Sequence, residues 1–250
     1  MKVIKEVLYN FGRYAVFMLR VFAKPEKASP YYLQILRELR KMGVNSIGIV
    51  VIISLFIGAV ITLQTSYNLN NALIPRYVIG LGTRDSMLLE FSSTMIALIL
   101  AGKVGSNIAS ELGTMRISEQ IDALEIMGIN SAGYLVLPKL IAALIFFPLL
   151  TIMSMIMGII GGWLVSITTD LITPATYIMG LRTYFVPYFI VYSLVKMLVF
   201  AFIISTVSSY WGFYVKGGAV GVGRASTKAV VYSSVLILLF NLIITQLMLT

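Results

Sequence analysis

Two long stretches of this chain carry no charged side chain: residues 42–75, between Lys41 and Arg76, and residues 140–169, between Lys139 and Asp170. A helix of about 20 apolar residues crosses the hydrocarbon of a bilayer, and in lipid only helices and closed barrels satisfy every backbone group. Runs of this length read as helical crossings. They place a first span at Val44–Tyr67 and a third at Leu135–Ile167. The same pattern adds Met87–Ser110, Pro187–Phe213 and Ala229–Leu249. The third run exceeds what one bilayer needs, which predicts tilt or a kink at Pro138 or Pro148. Composition agrees: 12% of residues are charged, about half the share of a soluble domain. The expected fold is an all-α integral membrane protein with about five transmembrane helices. One domain covers residues 1–250, with residues 1–42 as interfacial helices and 43–250 as the transmembrane part.

The net charge of +9 is a membrane signal and not a nucleic-acid one, because of where it lies. Lys2, Lys5, Arg13, Arg20, Lys24, Lys27, Arg37, Arg40 and Lys41 all precede the first span. With the N-terminus on the cytoplasmic side, Arg116, Lys139, Lys216, Arg224 and Lys228 fall on the same side, and only Arg76, Arg84 and Arg182 fall opposite. That bias predicts an N-in, C-out protein with five crossings. On a helical wheel, residues 1–22 set Lys2, Lys5, Glu6, Asn10, Arg13 and Arg20 against Ile4, Val7, Leu8, Phe11, Ala15, Met18 and Phe22. This split predicts a helix lying in the interface. Pro25 and Pro30 are expected to break it, and residues 31–41 to form a second short amphipathic piece.

Cys and His are both absent. No disulfide framework, His-based nucleophile pair or His-ligated zinc site exists, no catalytic or metal-ligating residue is expected, and a carboxylate metal site on the acidic segment below is only a weak alternative. Between the second and third spans, however, stands Glu119-Gln120-Ile121-Asp122-Ala123-Leu124-Glu125. Ser118 suits an N-cap, the acids suit the first turn, and Gly128 suits a stop. Ile121 and Leu124 add an apolar stripe. An exposed acidic helix of this kind docks another protein, or else is a solvated connector packed on its own membrane domain.

Three further stretches carry a resemblance. Ala101-Gly102-Lys103-Val104-Gly105-Ser106, then Glu111 through Gly128 (ELGTMRISEQIDALEIMG), then Tyr134-Leu135-Val136-Leu137-Pro138-Lys139 closely resemble the MlaE/YrbE permease family. Gly217 through Val231 is similar to that family's last cytoplasmic loop. The resemblance implies the permease subunit of an ABC transporter in the bacterial inner membrane, working as a homodimer. It implies a cytoplasmic ATPase that binds the ATP and Mg, with no cofactor on this chain, and a periplasmic MCE-domain partner. A small cytoplasmic accessory protein is a further candidate partner. The implied cargo is a phospholipid or related lipid moved between inner and outer membranes. Residues 119–125 would be the coupling helix, with Glu119, Gln120, Asp122, Ala123, Leu124 and Glu125 at the ATPase. Leu63, Gln64 and Tyr67, with Glu90, would face the lipid. Where the family commonly has Arg-Glu-Leu-Gly-Pro, this chain has Leu89-Glu90-Phe91-Ser92-Ser93, so Arg76 or Arg84 could stand in for the missing Arg only by proximity.

Three charges lie inside spans, where charge is costly and often functional. Glu90 and Lys103, near opposite ends of theirs, are also explained by snorkelling, whereas Lys196 lies nearer the middle. Gly158 and Gly162 form a helix-packing pair. Gly218–Ala225 mimics a phosphate loop, but Arg224-Ala225 replaces the Lys and Ser/Thr that such a loop requires. These glycines are expected to form a compact turn and close helix packing. The rival reading is an ion- or proton-driven secondary transporter using Glu90 and Lys196. An intramembrane Ser-Lys hydrolase is a distant third.

Overall fold

The computed structural model describes residues 2–23, 28–69 and 74–249, with side chains from Tyr9 onward apart from Phe11 and residues 28–30. Expectations for the side chains of residues 1–8 and 11, and for Lys24, Pro25 and Lys27, fall outside these. The described residues are mostly helical: α1 Lys2–Phe22, α2 Ala28–Glu38, α3 Asn45–Asn68, α4 Tyr77–Ser86, α5 Ile96–Leu100, α6 Ser106–Ile117, α7 Gln120–Ile126, α8 Ser131–Thr168, α9 Pro174–Arg182, α10 Tyr188–Phe213 and α11 Gly218–Leu249. π-helical segments lie at Leu39–Val44, Met87–Met95 and Ala101–Gly105. Five helical stretches are long and apolar enough to cross a membrane: Tyr31–Asn68, Tyr77–Ile117, Ser131–Thr168, Tyr188–Phe213 and Gly218–Leu249. The protein is an all-α, multi-pass membrane protein.

Two compact units divide the chain, the first comprising Met1–Val44, Ile99–Phe146 and Phe200–Leu239, the second Asn45–Leu98, Phe147–Val199 and Phe240–Thr250. Helix contacts in the second unit are built on small residues, as expected where lipid removes the hydrophobic drive and close backbone approach supplies the attraction. A Cβ on Gly58 of α3 would stand 1.8 Å from the Gly158 carbonyl oxygen of α8. The Ser54 and Ser154 hydroxyls bond across the same contact at 2.8 Å. Gly158 thus packs as its sequence spacing suggested. Helix α9 starts with Thr173, whose hydroxyl accepts from the Thr176 amide, followed by Pro174 at a position where no amide is needed. Burial pushes the Tyr177 hydroxyl of α9 up to about 12, against a smaller lowering by Thr62.

In the first unit α1 packs on the end of α10. Phe17 is fully buried there, with ring contacts to Tyr210, Phe213 and Tyr214. Tyr14 donates to Thr206 at 2.8 Å. Burial raises its hydroxyl above the ordinary phenol range, partly offset by that bond.

Three expectations are corrected here. The polar face of α1 does not simply meet water, because Arg13 lies 3.8 Å above the Tyr214 ring and Tyr210 donates to Asn10. Tyr9, Val16, Leu19 and Phe22 are exposed large apolar side chains, alongside exposed Arg20. Pro30 does not interrupt a helix but sits in the first turn of α2, where its missing amide costs no bond. The glycine-rich stretch is not a loop. Only Gly217 (φ +92) and Gly218 (φ +66) turn the chain, and α11 runs from Gly218 onward because buried Val222 and Ala225 pack its first turns against Val215. Helix α8 passes through Pro138 and Pro148 unbroken.

Candidate functional site

Between α6 and α8 the first unit carries a short helix set off by backbone switches at both ends. Glu119 adopts φ 60, the left-handed region, at a cost of roughly 1 kcal/mol for a residue with a Cβ. Ser118 is not the cap: its hydroxyl donates backward to the Thr114 carbonyl at 2.8 Å. At the other end Gly128 (φ +78) closes α7. The Ile129 amide donates to the Leu124 carbonyl and the Gly128 amide to the Glu125 carbonyl, both at 3.0 Å, the paired bonds of a Schellman stop.

The side chains of α7 divide differently from their sequence pattern. Ile121 is fully buried and Leu124 partly so, so the apolar stripe faces the protein. Asp122 is held by Arg116 at 2.6 Å, and Glu125 accepts from Ser131 at 2.8 Å. Glu119, Gln120 and Ala123 are exposed. Beyond them Ile126 is 88% and Met127 65% exposed. These two apolar residues form the outer tip, and they were passed over in favour of the acids. Their signal was legible, since Ile126 stands about 140° around a helix from Ile121 and cannot share its buried face.

The second unit holds a cavity of about 620 Å³ lined by Leu63, Gln64, Tyr67, Arg76, Asp170 and neighbouring apolar side chains. Three of the four residues expected to face a lipid therefore meet at one place. Glu90 does not line it. Lys196, with no solvent exposure, donates to Glu90 Oε1 at 2.8 Å, to the Tyr192 hydroxyl at 2.9 Å and to the Leu89 carbonyl at 3.2 Å. Asn241 donates to Glu90 Oε2 at 3.1 Å, and Thr94 to the same oxygen at 3.0 Å. Glu90 is thus an ion-pair partner and not a snorkelling acid, because a buried ammonium needs a counter-charge and its remaining protons satisfied. Lys103 is exposed in its π segment.

Arg84 is 2% exposed, and its guanidinium is committed to the Leu181, Thr183 and Tyr184 carbonyls and to Asp85. It pins the end of α9, with four hydrogen bonds drawing on its guanidinium. Arg76, by contrast, is among the residues that line the cavity. Among the described residues no group of His, Cys, Asp and Glu could hold a metal ion.

The model of the family described as Permease MlaE matches residues 35–247. The chain belongs to that family. As an MlaE permease it is 38% identical over 238 residues, 95% of this chain and 92% of the relative, to a "Probable ABC transporter permease protein" of Rickettsia bellii. It is 33% identical to a protein of the same description from Synechocystis, over 85% of this chain and 81% of the relative. The chloroplast protein TRIGALACTOSYLDIACYLGLYCEROL 1 of Arabidopsis thaliana is 32% identical over 88% of this chain and 63% of its own length. The MlaE match includes the α6–α8 connection and the cavity-lining end of α3.

Proposed function

We propose that this MlaE permease is the membrane subunit of a lipid-moving ABC transporter, driven by a separate ATPase that docks on residues 119–127. The observation that carries this reading is the exposed Ile126–Met127 tip on a helix bounded by left-handed backbone at Glu119 and Gly128. Large apolar side chains placed in water at a loop tip gain by burial in a partner's groove. The likeness to proteins named as ABC transporter permeases supplies the class of partner. The cavity beside Leu63 and Tyr67 suits an acyl chain, and Arg76 at its lining suits an acidic headgroup. The galactolipid in the Arabidopsis relative's name agrees with a lipid cargo.

ATP binding on the partner would drive two coupling helices together in a homodimer and reshape the cavities. Only 17% of the most apolar window of α11 is buried within the chain, which leaves that helix an open face for a second copy and for lipid. An inner-membrane location with a cytoplasmic N-terminus, a periplasmic MCE-domain protein and a small cytoplasmic accessory protein complete the proposal. This chain carries out no bond chemistry; ATP and Mg belong to the ATPase.

The test is Ile126→Asp with Met127→Asp. Detergent-purified complexes should lose the ATPase while the permease inserts normally. Retention of a fully stimulated ATPase would sink the assignment. An ion-driven transporter remains the second reading because Lys196 and Glu90 are paired, but that reading leaves the tip of α7 without a duty.

A further inference from the structure

A second set of charges lies in the first unit, and neither the docking tip nor the cavity uses it. Lys139 of α8 is 3% exposed. Its ammonium donates to Glu38 at the end of α2 and, at 2.9 Å, to Glu111 of α6. Glu111 Oε2 also accepts from Lys41, in the π segment Leu39–Val44, at 2.7 Å. Two cations and two anions balance. A cavity of about 370 Å³ runs beside them, lined by Gln34, Arg37, Tyr134 and Pro138 among others.

Glu111 and Lys139 occupy the two stems of the connection that carries α7. Their bond closes the base of that connection, and the bonds to Glu38 and Lys41 tie the base to the amphipathic N-terminal helices. A second tie lies nearer the tip. Asn130, just beyond α7, donates through Nδ2 to the Arg20 and Ala23 carbonyls at 2.8 and 2.9 Å. Arg20 lies in the last turn of α1, where its carbonyl also accepts from the Ala23 amide at 3.3 Å, and Ala23 follows directly after that helix. The Tyr31 and Tyr134 rings meet edge to face at 6.1 Å between centroids. Glu38 Oε2 is buried without a hydrogen-bond partner. An orphaned carboxylate oxygen is unfavourable, and its retention is explained by the need for a charge against Lys139.

We infer that Lys139 is a positioning residue that locks α2 to the base of the α7 connection, alongside the Asn130 tie to the end of α1, so that a push on the docking tip is delivered to these N-terminal helices as one piece. The inference rests on the proposed docking of an ATPase on α7. Packed charge networks with fixed partners transmit displacement, whereas a loop with free stems absorbs it.

The experiment uses the complete permease–ATPase complex in vesicles of phosphatidylethanolamine and phosphatidylglycerol carrying fluorescent phosphatidylethanolamine. Three quantities are read: ATPase retained on the purified permease, ATP hydrolysed, and labelled lipid moved per ATP. For Lys139→Gln and for the milder Glu38→Gln, the ATPase should stay bound and lipid moved per ATP should fall by roughly two- to thirtyfold, the range for mutations along a coupling network. Lys139→Arg should restore coupling, because the guanidinium keeps both carboxylates and the adjoining cavity has room for it. Loss of fold would lower all three readouts together and would appear as reduced permease yield; Glu38→Gln then decides the matter. Unchanged lipid per ATP in a well-folded Glu38→Gln and Lys139→Gln overturns the inference and leaves the docking reading intact. If the wild-type permease retains no ATPase, the docking reading fails and the inference fails with it.

Discussion

At the residue scale, placing Lys196 in a fully enclosed site is expensive, and Glu90, Tyr192 and Leu89 offset that cost. Removing one partner of such a pair is far more damaging than removing both, since the survivor keeps its desolvation penalty. Lys196→Met is therefore expected to destabilise the protein by about 3 kcal/mol, the lower end of the usual range because Glu90 keeps 40% side-chain exposure. Lys196→Met with Glu90→Gln should recover most of that loss, as measured by thermal unfolding in detergent. The same double variant separates the two functional readings. An ATPase-driven permease keeps transport when the pair is neutralised as a unit, whereas an ion-driven transporter loses it. Arg84 shows the opposite economy. A charged residue that looked available for ligand in the sequence is occupied by three backbone carbonyls, groups that no sequence pattern records.

At the element scale, two glycines with similar sequence settings should respond with opposite signs. Gly128 holds φ +78 at the end of α7, a conformation that costs an L side chain roughly 1 kcal/mol. Gly223 lies inside α11 with open space where a Cβ would stand. Gly128→Ala should destabilise by about 1 kcal/mol and loosen α7, whereas Gly223→Ala should stabilise by about 0.5–1 kcal/mol through helix propensity. Amide hydrogen exchange across residues 119–130, together with unfolding midpoints, checks both. The likeness of Gly217–Val231 to a loop misplaced the start of α11, because the helix cost of a few glycines is small. Val215, Val222 and Ala225 form a packed cluster around the first turns of α11, and tertiary contact overrides a glycine cost of that size. The acidic helix was placed correctly, with its end at Gly128, but its N-cap and faces were not. The sequence shows which residues could face outward, and packing of Ile121 decides which do.

For the whole molecule, the absence of cysteine makes single-cysteine topology mapping clean. With an N-terminus on the cytoplasmic side, a cysteine at Met127 should react with a membrane-impermeant maleimide only after the inner membrane is opened. Cysteines at Asp170 and Thr183 should react in intact spheroplasts. Labelling in the reverse pattern would refute the proposed orientation. That both compact units serve a single permease domain is part of the same proposal. Disrupting the close contact in the second unit with Gly58→Leu should cost several kcal/mol, since the nearest atom is backbone that cannot move aside; yield and unfolding midpoint read the loss.

Long charge-free runs, the basic N-terminal segment and the acidic segment before Gly128 were enough to place five apolar helices and the connection between the second and third. These are properties of local composition, and lipid leaves the backbone almost no other solution. The central motif carried the family, and Leu63, Gln64 and Tyr67 were legible as neighbours because they lie on consecutive turns of one helix. The tertiary structure alone decided which charges pair. Glu90 and Lys196 are 106 residues apart, and Lys139 reaches back 101 residues to Glu38. Electrostatic partnership depends on distance in space, which sequence separation does not encode. The same limit hid the side of α7 that is buried, because an amphipathic pattern marks two faces and only the neighbouring helices determine which one is covered.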